Sequence, residues 1–270
     1  MSELKSSFST ALVAGAVAGI AVDISLYPLD TLKTRMQSSV GFRTAGGFKG
    51  LYKGVPAAAL GSGPSSALFF YSYESMKGFL ENSSLSASSR HVVAAATAEV
   101  AACLIRVPTD NVKQKVQAGA YETVGKAFSH LLVNSKGMSK FFVGFSATCL
   151  RDVPFACIQF PIYEFLKLHI LKEFRSHDSL LPVYLAGCGS CAGAISAAIT
   201  TPLDVVKTRL MLGKDKSGID YTDNLSTIRR MWSHEGWRVF FSGISPRVFW
   251  ISLGGFVFFG AYESTKRLLI

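Results

Sequence analysis

Charge is scarce in this sequence. Asp, Glu, Lys and Arg make up 17% of 270 residues, whereas a soluble domain carries about a quarter. The deficit leaves too few charges to cover a water-facing surface and points to lipid. Cysteine is scarce too: Cys103, Cys149, Cys157, Cys188 and Cys191 all sit in apolar stretches. An odd number so placed speaks against a disulfide frame and reads as reduced packing residues. Cys188 and Cys191 form a CxxC, yet no second cysteine pair or histidine lies nearby to complete a metal site. The histidines (His91, His130, His169, His177 and His234) fall near span ends or in connections and form no triad. Neither an enzyme nor a cofactor is expected. The N-terminal MSELKSSFST lacks the basic, then apolar, then small-residue order of a signal peptide, so any address is expected to be internal.

The net charge of +10 would suit nucleic acid, anionic lipid or anionic solutes. The cations lie mostly at the ends of apolar segments and in short connections, without an RNP-like or finger-like pattern. That distribution marks membrane-flanking charge and argues against a nucleic-acid partner.

Long apolar segments are what the chain has in quantity. They lie near 8–30, 55–80, 91–109, 144–171, 181–203 and 243–269, each approaching or exceeding the roughly 20 residues that cross a bilayer. Small residues permit close helix contact in lipid, as at Gly15 and Gly19 or Gly189 and Gly193. Three motifs recur in one order, three times. The first is YPLDTLKTR at 27–35, VPTDNVKQK at 107–115 and TPLDVVKTR at 201–209. The second is GFKGLYKG at 47–54, GMSKFFVG at 137–144 and GWRVFFSG at 236–243. The third is YESMK at 73–77, YEFLK at 163–167 and YESTK at 262–266. Chance does not produce this. The unit is two spans joined by a short amphipathic stretch.

Proline in the first motif bends its helix and frees a carbonyl. Asp30 and Lys33, three apart, share a face. A lone charge in a bilayer costs several kcal/mol, so such residues must face each other or water. Threefold repetition lets the acid of one repeat meet the cation of another. The even segments carry a matching set, Glu74 with Lys77, Glu164 with Lys167 and Glu263 with Lys266, placed to close the opposite end. Two such rings would form a bistable element whose exchange a solute biases.

Between the rings lie charges belonging to neither. Asp23 is seven residues before Asp30, so it points into the same cavity; Glu99, Arg106 and Lys113 are also seven apart. Arg151 and Asp152 adjoin on the fourth segment, with Gln159 seven residues after Asp152. A phosphate-rich anion would call for a clear cationic excess, and acids here are at least as numerous. The site suits a solute with cationic groups and one carboxylate. Arg151 would take the carboxylate through its fork, and Asp152 with an acid on the first or third helix would hold the cation. Arg106 has a second reading, as a partner of Asp110 at i, i+4.

Over essentially its whole length the chain resembles the mitochondrial carrier family. The family's P-x-[DE]-x-x-[KR]-x-[KR] is complete in all three repeats, whereas [DE]-G-x4-[aromatic]-[KR]-G is complete in none. Gly46 and Lys136 replace the acid, and Val143 and Ser242 the base. Pro28 to Gly47 spans 19 residues, against 29 and 34 in the later repeats. The resemblance implies an all-α membrane fold of six transmembrane helices in three pseudo-threefold repeats of about 90 residues, with short amphipathic helices on the matrix side. It implies one carrier domain over 1–270, with repeats at approximately 1–82, 83–175 and 176–270. It implies a matrix gate of Asp30 with Lys113, Asp110 with Lys207 and Asp204 with Lys33. Gln37 and Gln117 match the family's glutamine braces, while Met211 stands where a third would be. Tyr73, Tyr163 and Tyr262 match the tyrosine braces of the cytoplasmic gate.

Within the family, VDISLYPLDTLKTR at 22–35, EVAACLIRVPTDNVKQK at 99–115, LRDVPFACIQFPIYE at 150–164 and WISLGGFVFFGAYE at 250–263 are similar to the carriers of S-adenosylmethionine. The implied activity is uptake of that compound into the matrix against S-adenosylhomocysteine, by alternating access in the inner mitochondrial membrane. Gly61 and Ser62 would admit the adenine. The expected surroundings are a lipid bilayer with cardiolipin, and the expected working unit is a monomer. A carrier of another zwitterionic, cationic or adenine-containing solute is the alternative, and a proton leak or scaffold the second.

Overall fold

The computed structural model describes residues 21–81, 83–84, 87–133, 138–173, 181–214, 218–254 and 257. Helices α1 (described over 21–37) and α2 (Val55–Phe79) form the first pair. The second repeat holds α3 (Ala87–Gln117), the short α4 (Val124–Val133) and α5 (Phe145–Glu173). The third holds α6 (Leu181–Leu212), the short α7 (Asn224–Glu235) and α8 (described over 244–254). Strands are absent among the described residues; a single isolated bridge joins Lys214 and Asp220. Val92–Gln117, Ser139–Lys172 and Val183–Leu212 are long and apolar enough to cross a membrane. At 25 residues α2 is also long enough. Gly15, Gly19, Tyr262, Glu263 and Lys266 lie outside the described residues.

The odd helices run further than their apolar content suggests. The expected spans 91–109 and 181–203 end at the proline motifs, but α3 continues through Pro108 to Gln117 and α6 through Pro202 to Leu212. Proline removes one backbone donor, and nearby hydroxyls bond back to the preceding turn: Thr109 Oγ1 to Ile105 O at 3.1 Å and Thr201 Oγ1 to Ala197 O at 2.7 Å. The motif charges therefore ride on helix rather than on loop.

Below the odd helices the connections pack inward. α4 buries Ala127 and Leu131 against Val112, Val116 and Phe141. α7 buries Met231 against Val205, Leu210 and Phe240. Asp223 caps α7: its carboxylate accepts the Ser226 hydroxyl at 2.6 Å and the Ser226 N–H at 3.0 Å. These bonds hold its pKa down at about 2. Repeat one has only turns over 38–54, the shorter connection leaving no room for a matching helix.

The ring closes through one glycine per repeat. Gly54, Gly144 and Gly243 have φ of 96°, 82° and 76°, a region L side chains avoid. A Cβ on Gly54 would lie 3.3 Å from Lys113 O, and one on Gly144 3.1 Å from Met211 Cγ. On Gly243 it would lie 3.3 Å from Lys33 O. Each turn thus abuts the odd helix of the next repeat, the third abutting the first.

The second cation of the first motif explains one departure in the second motif, Gly46. Arg209 pairs with Glu235 at 3.1 Å. Arg35 has Gly46 where an acid would stand; a Cβ there would lie 3.1 Å from its guanidinium carbon. Arg35 donates instead to the carbonyls of Gly47 at 2.6 Å, Lys49 at 2.7 Å and Gln117 at 2.8 Å. Lys115 donates to Asn111 Oδ1 at 3.1 Å and to Met211 O. Three buried or half-buried cations thus meet their acceptors in three ways, Arg209 leaving its Nε without a hydrogen bond. Glu235→Gln is expected to lower thermal stability by roughly 3 kcal/mol, because it leaves the buried Arg209 without its counter-charge. Glu122→Gln, which disrupts an exposed pair with Lys126, is expected to leave the stability nearly unchanged. Melting of both variants in detergent checks the contrast.

Candidate functional site

Where α1, α3 and α6 converge, three carboxylates meet three lysines from neighbouring repeats. Lys113 Nζ lies 2.7 Å from Asp30, Lys207 Nζ 2.8 Å from Asp110, and Lys33 Nζ 2.8 Å from Asp204. Lys113 also sits over the Tyr27 ring, 5.4 Å from its centroid. Desolvated pairs of this kind hold only when the remaining lone pairs are also satisfied. Gln117 donates to Asp30 at 2.9 Å and accepts from Thr34 at 3.0 Å. Gln37 donates to Asp204 at 2.8 Å and accepts from Thr208 at 2.6 Å. Met211 packs with Cys103 and Val107 instead, so the Asp110–Lys207 pair has no amide brace.

At the opposite end the third-motif charges stay on their own helices. Lys77 lies 3.7 Å from Glu74 and Lys167 lies 3.3 Å from Glu164, each at i, i+3 and exposed. Tyr73 stacks on Phe69, and Lys167 sits over Tyr163. Among the described residues no ion pair bridges repeats at this end.

Between the two ends is a cavity of about 870 Å³, within the usual size of a small-molecule site. Asp23, Gly61, Ser62, Glu99, Arg106, Arg151, Asp152 and Gln159 all line it. Arg106 turns to Glu99 and, at 3.3 Å, to Asp152 rather than to Asp110; Asp110 is taken by Lys207. Arg151 pairs with its neighbour Asp152 and reaches Asp204 at 3.0 Å. Glu99, Cys103 and Asp152 converge closely enough to suggest a metal. The Arg106 guanidinium already engages both carboxylates and supplies the positive charge there. Asp23 has no ion-pair partner among the described residues; the Ser62 hydroxyl is its neighbour. A Cβ on Gly61 would collide with the Thr109 side chain. The missing side chain at Gly61 thus lets α3 approach α2 as well as lining the cavity.

Arg247 is a cavity residue that spacing did not reveal. It is buried, with Nη1 3.3 Å from Asp204 and Nη2 donating to Thr200 Oγ1 at 2.8 Å. The available signal was a lone cation in an apolar run, VFWISLGG following Ser-Pro-Arg. It has no counterpart at the seven-residue spacing that picked out the other charges.

The chain matches the family described as "Mitochondrial carrier protein" over residues 4–84, 86–174 and 179–270. It is 44% identical over 272 residues to the "Mitochondrial S-adenosylmethionine carrier protein" of Mus musculus, covering 97% of this chain and 96% of that one. It is 45% identical over 269 residues to the "S-adenosylmethionine mitochondrial carrier protein homolog" of Drosophila melanogaster, covering 98% and 94%. The "Mitochondrial S-adenosylmethionine carrier protein" of Danio rerio is 42% identical over 266 residues, covering 97% and 98%.

Met211→Gln would give the Asp110–Lys207 pair the amide it lacks. The expected outcome is a rise in melting temperature equivalent to about 1 kcal/mol, one added hydrogen bond to a charged group offset by lost apolar packing. Turnover of any solute exchanged should fall, because the closed arrangement is held more firmly. Melting and exchange rates measured on one preparation check both.

Proposed function

The chain belongs to the mitochondrial carrier family, and on that premise we propose that it exchanges S-adenosylmethionine for S-adenosylhomocysteine. It is a multi-pass transporter of the inner mitochondrial membrane, not an enzyme. The observation that carries the solute reading is the distribution of charge in the cavity. Five carboxylates and six cations line it, with Asp204 buried beneath. This near balance does not suit a phosphate-rich anion. Asp23 has no ion-pair partner among the described residues, while Asp204 is shared by Lys33, Arg151 and Arg247. A solute with a cationic group for Asp23 and a carboxylate for Arg151 fits both. S-adenosylmethionine has an ammonium, a sulfonium, a carboxylate and an adenine.

In the proposed site Arg151 receives the carboxylate, and Asp23, with Glu99 and Asp152 nearby, holds the cationic groups. Gln159 and Ser62 contribute polar contacts, and the α2 face at Gly61 takes the adenine. Arg106 keeps Glu99 and Asp152 from repelling each other. The three lysine–carboxylate pairs form the matrix gate, closed here and braced by Gln37 and Gln117. Glu74, Lys77, Glu164 and Lys167, with Tyr73 and Tyr163, belong to the cytoplasmic gate. Tyr262, Glu263 and Lys266 complete that gate in this reading. Closing one while opening the other moves the solute across without covalent chemistry. The proposed working unit is a monomer in lipid, cardiolipin included, since the cavity is built from one chain.

Labelled S-adenosylmethionine should enter liposomes carrying the protein and preloaded with S-adenosylhomocysteine, and should not enter empty ones. Uptake of adenine nucleotides in its place would refute the solute. Asp23→Asn should slow the exchange by about tenfold or more, the cost of a hydrogen bond to a charged group, while the protein still melts cooperatively.

A further inference from the structure

Building on that transport reading, we infer that Asp23 is the residue that reads the solute's sulfonium, and so the one that tells S-adenosylmethionine from S-adenosylhomocysteine. The two compounds differ at one atom. Sulfur carries a methyl group and a positive charge in the first and is a neutral thioether in the second. A fixed negative charge beside that atom adds an attraction that only one compound receives. Three carboxylates line the cavity outside the gate pairs: Asp23, Glu99 and Asp152. Glu99 is answered by Arg106, and Asp152 by Arg151 and, at 3.3 Å, by Arg106. Asp23 alone has no ion-pair partner among the described residues.

The groups around Asp23 leave its charge unanswered. Lys113 faces it from α3 but lies 2.7 Å from Asp30, on the helix of Asp23 itself, and sits over the Tyr27 ring. Asp110, also on α3, is held by Lys207 at 2.8 Å. From α2 comes only the neutral Ser62 hydroxyl. Toward α8, α1 presents the apolar Val22 and Leu26 to Gly254. Which part of the solute meets Asp23 follows from the solute's covalent order. The ammonium and the carboxylate share a carbon, so a carboxylate on Arg151 leaves the ammonium beside Asp152, the neighbour of Arg151 in the chain. The sulfur lies further along and is joined to the ribose. Adenine on the α2 face at Gly61 brings the ribose and the sulfur toward Ser62, and Asp23 is the acid beside Ser62. The ammonium is common to both compounds and goes to an acid that already has cations. The sulfonium, present in one compound, goes to the acid that has none. The thioether leaves that carboxylate without a counter-charge, so S-adenosylmethionine displaces S-adenosylhomocysteine from the site.

The test measures competition against uptake of labelled S-adenosylmethionine by liposomes carrying the full chain. For the natural protein, halving uptake should take at least about tenfold more S-adenosylhomocysteine than unlabelled S-adenosylmethionine, the effect of one close charge pair in a half-wet site. Asp23→Asn should bring that ratio within about threefold of one, chiefly by raising the KM for S-adenosylmethionine. Asp23→Glu keeps the charge and should keep most of the ratio, which a merely structural role for Asp23 would not predict. Where Asp23→Asn exchanges too slowly to follow, melting in detergent with each compound at matched concentration reads the same preference. A second probe needs no variant. The analogue with a tertiary amine in place of the sulfonium is charged only below its own pKa. Its competition in the natural protein, relative to S-adenosylmethionine at the same pH, should strengthen as the amine gains its proton. A ratio of one in the natural protein, a ratio unchanged in Asp23→Asn, or an amine analogue whose competition ignores its protonation overturns the inference and leaves the transport reading standing. A protein that exchanges neither compound overturns both.

Discussion

Asp204 is 1% exposed, and the positions of its partners constrain much of the molecule. A carboxylate removed from water is tolerable only with charge and hydrogen bonds on every side, and no single helix can supply them. Lys33 comes from α1, Arg151 from α5, Arg247 from α8 and Gln37 again from α1. Asp30 and Asp110 impose the same need more weakly, being partly open to the cavity. Satisfying all three carboxylates at once brings the odd helices together at one end. A closed ring of ion pairs thus follows from the cost of burying charge.

At the other end the described charges of α2 and α5 stay on their own helices, and the charges between the ends then become meaningful. Most are neutralised locally: Arg106 with Glu99 and Asp152, and Arg151 with Asp152 and Asp204. Asp23 stands apart on α1, without an ion-pair partner among the described residues, while cations crowd toward Asp204 on the other side. That separation gives the cavity a polarity matching a solute charged at both ends. In the proposed function the same residues would link recognition to movement, because Arg151 lines the cavity and also reaches Asp204.

Much of this was legible in the sequence, since repetition turns a weak local signal into a strong one. A single Pro-x-Asp-x-x-Lys is an odd feature of an apolar helix, whereas three of them specify a ring. Asp23, Glu99 and Asp152 were legible through helical spacing. Other features depend on tertiary proximity and leave no periodic trace. Arg247 has no counterpart in the spacing pattern and gains its meaning from Thr200 and Asp204 on another helix. Arg106 had Asp110 at i, i+4 as its one partner in the sequence, and only packing against α5 brings it to Asp152 instead. The extension of α3 and α6 past their prolines depends on how little one missing hydrogen bond costs in a long packed helix. Gly46 looked like a broken motif until the Arg35 guanidinium was seen to occupy the space of the missing side chain.

The central claim is that cross-repeat ion pairs form a gate that must break and reform in each cycle, and a charge reversal tests it most directly. Asp30→Lys and Lys113→Asp, each alone, place like charges together and should abolish exchange in liposomes. The double reversal restores the pair with its polarity inverted and should recover a measurable fraction of the natural rate. A double variant no more active than either single one, with all three proteins melting cooperatively, would contradict the account.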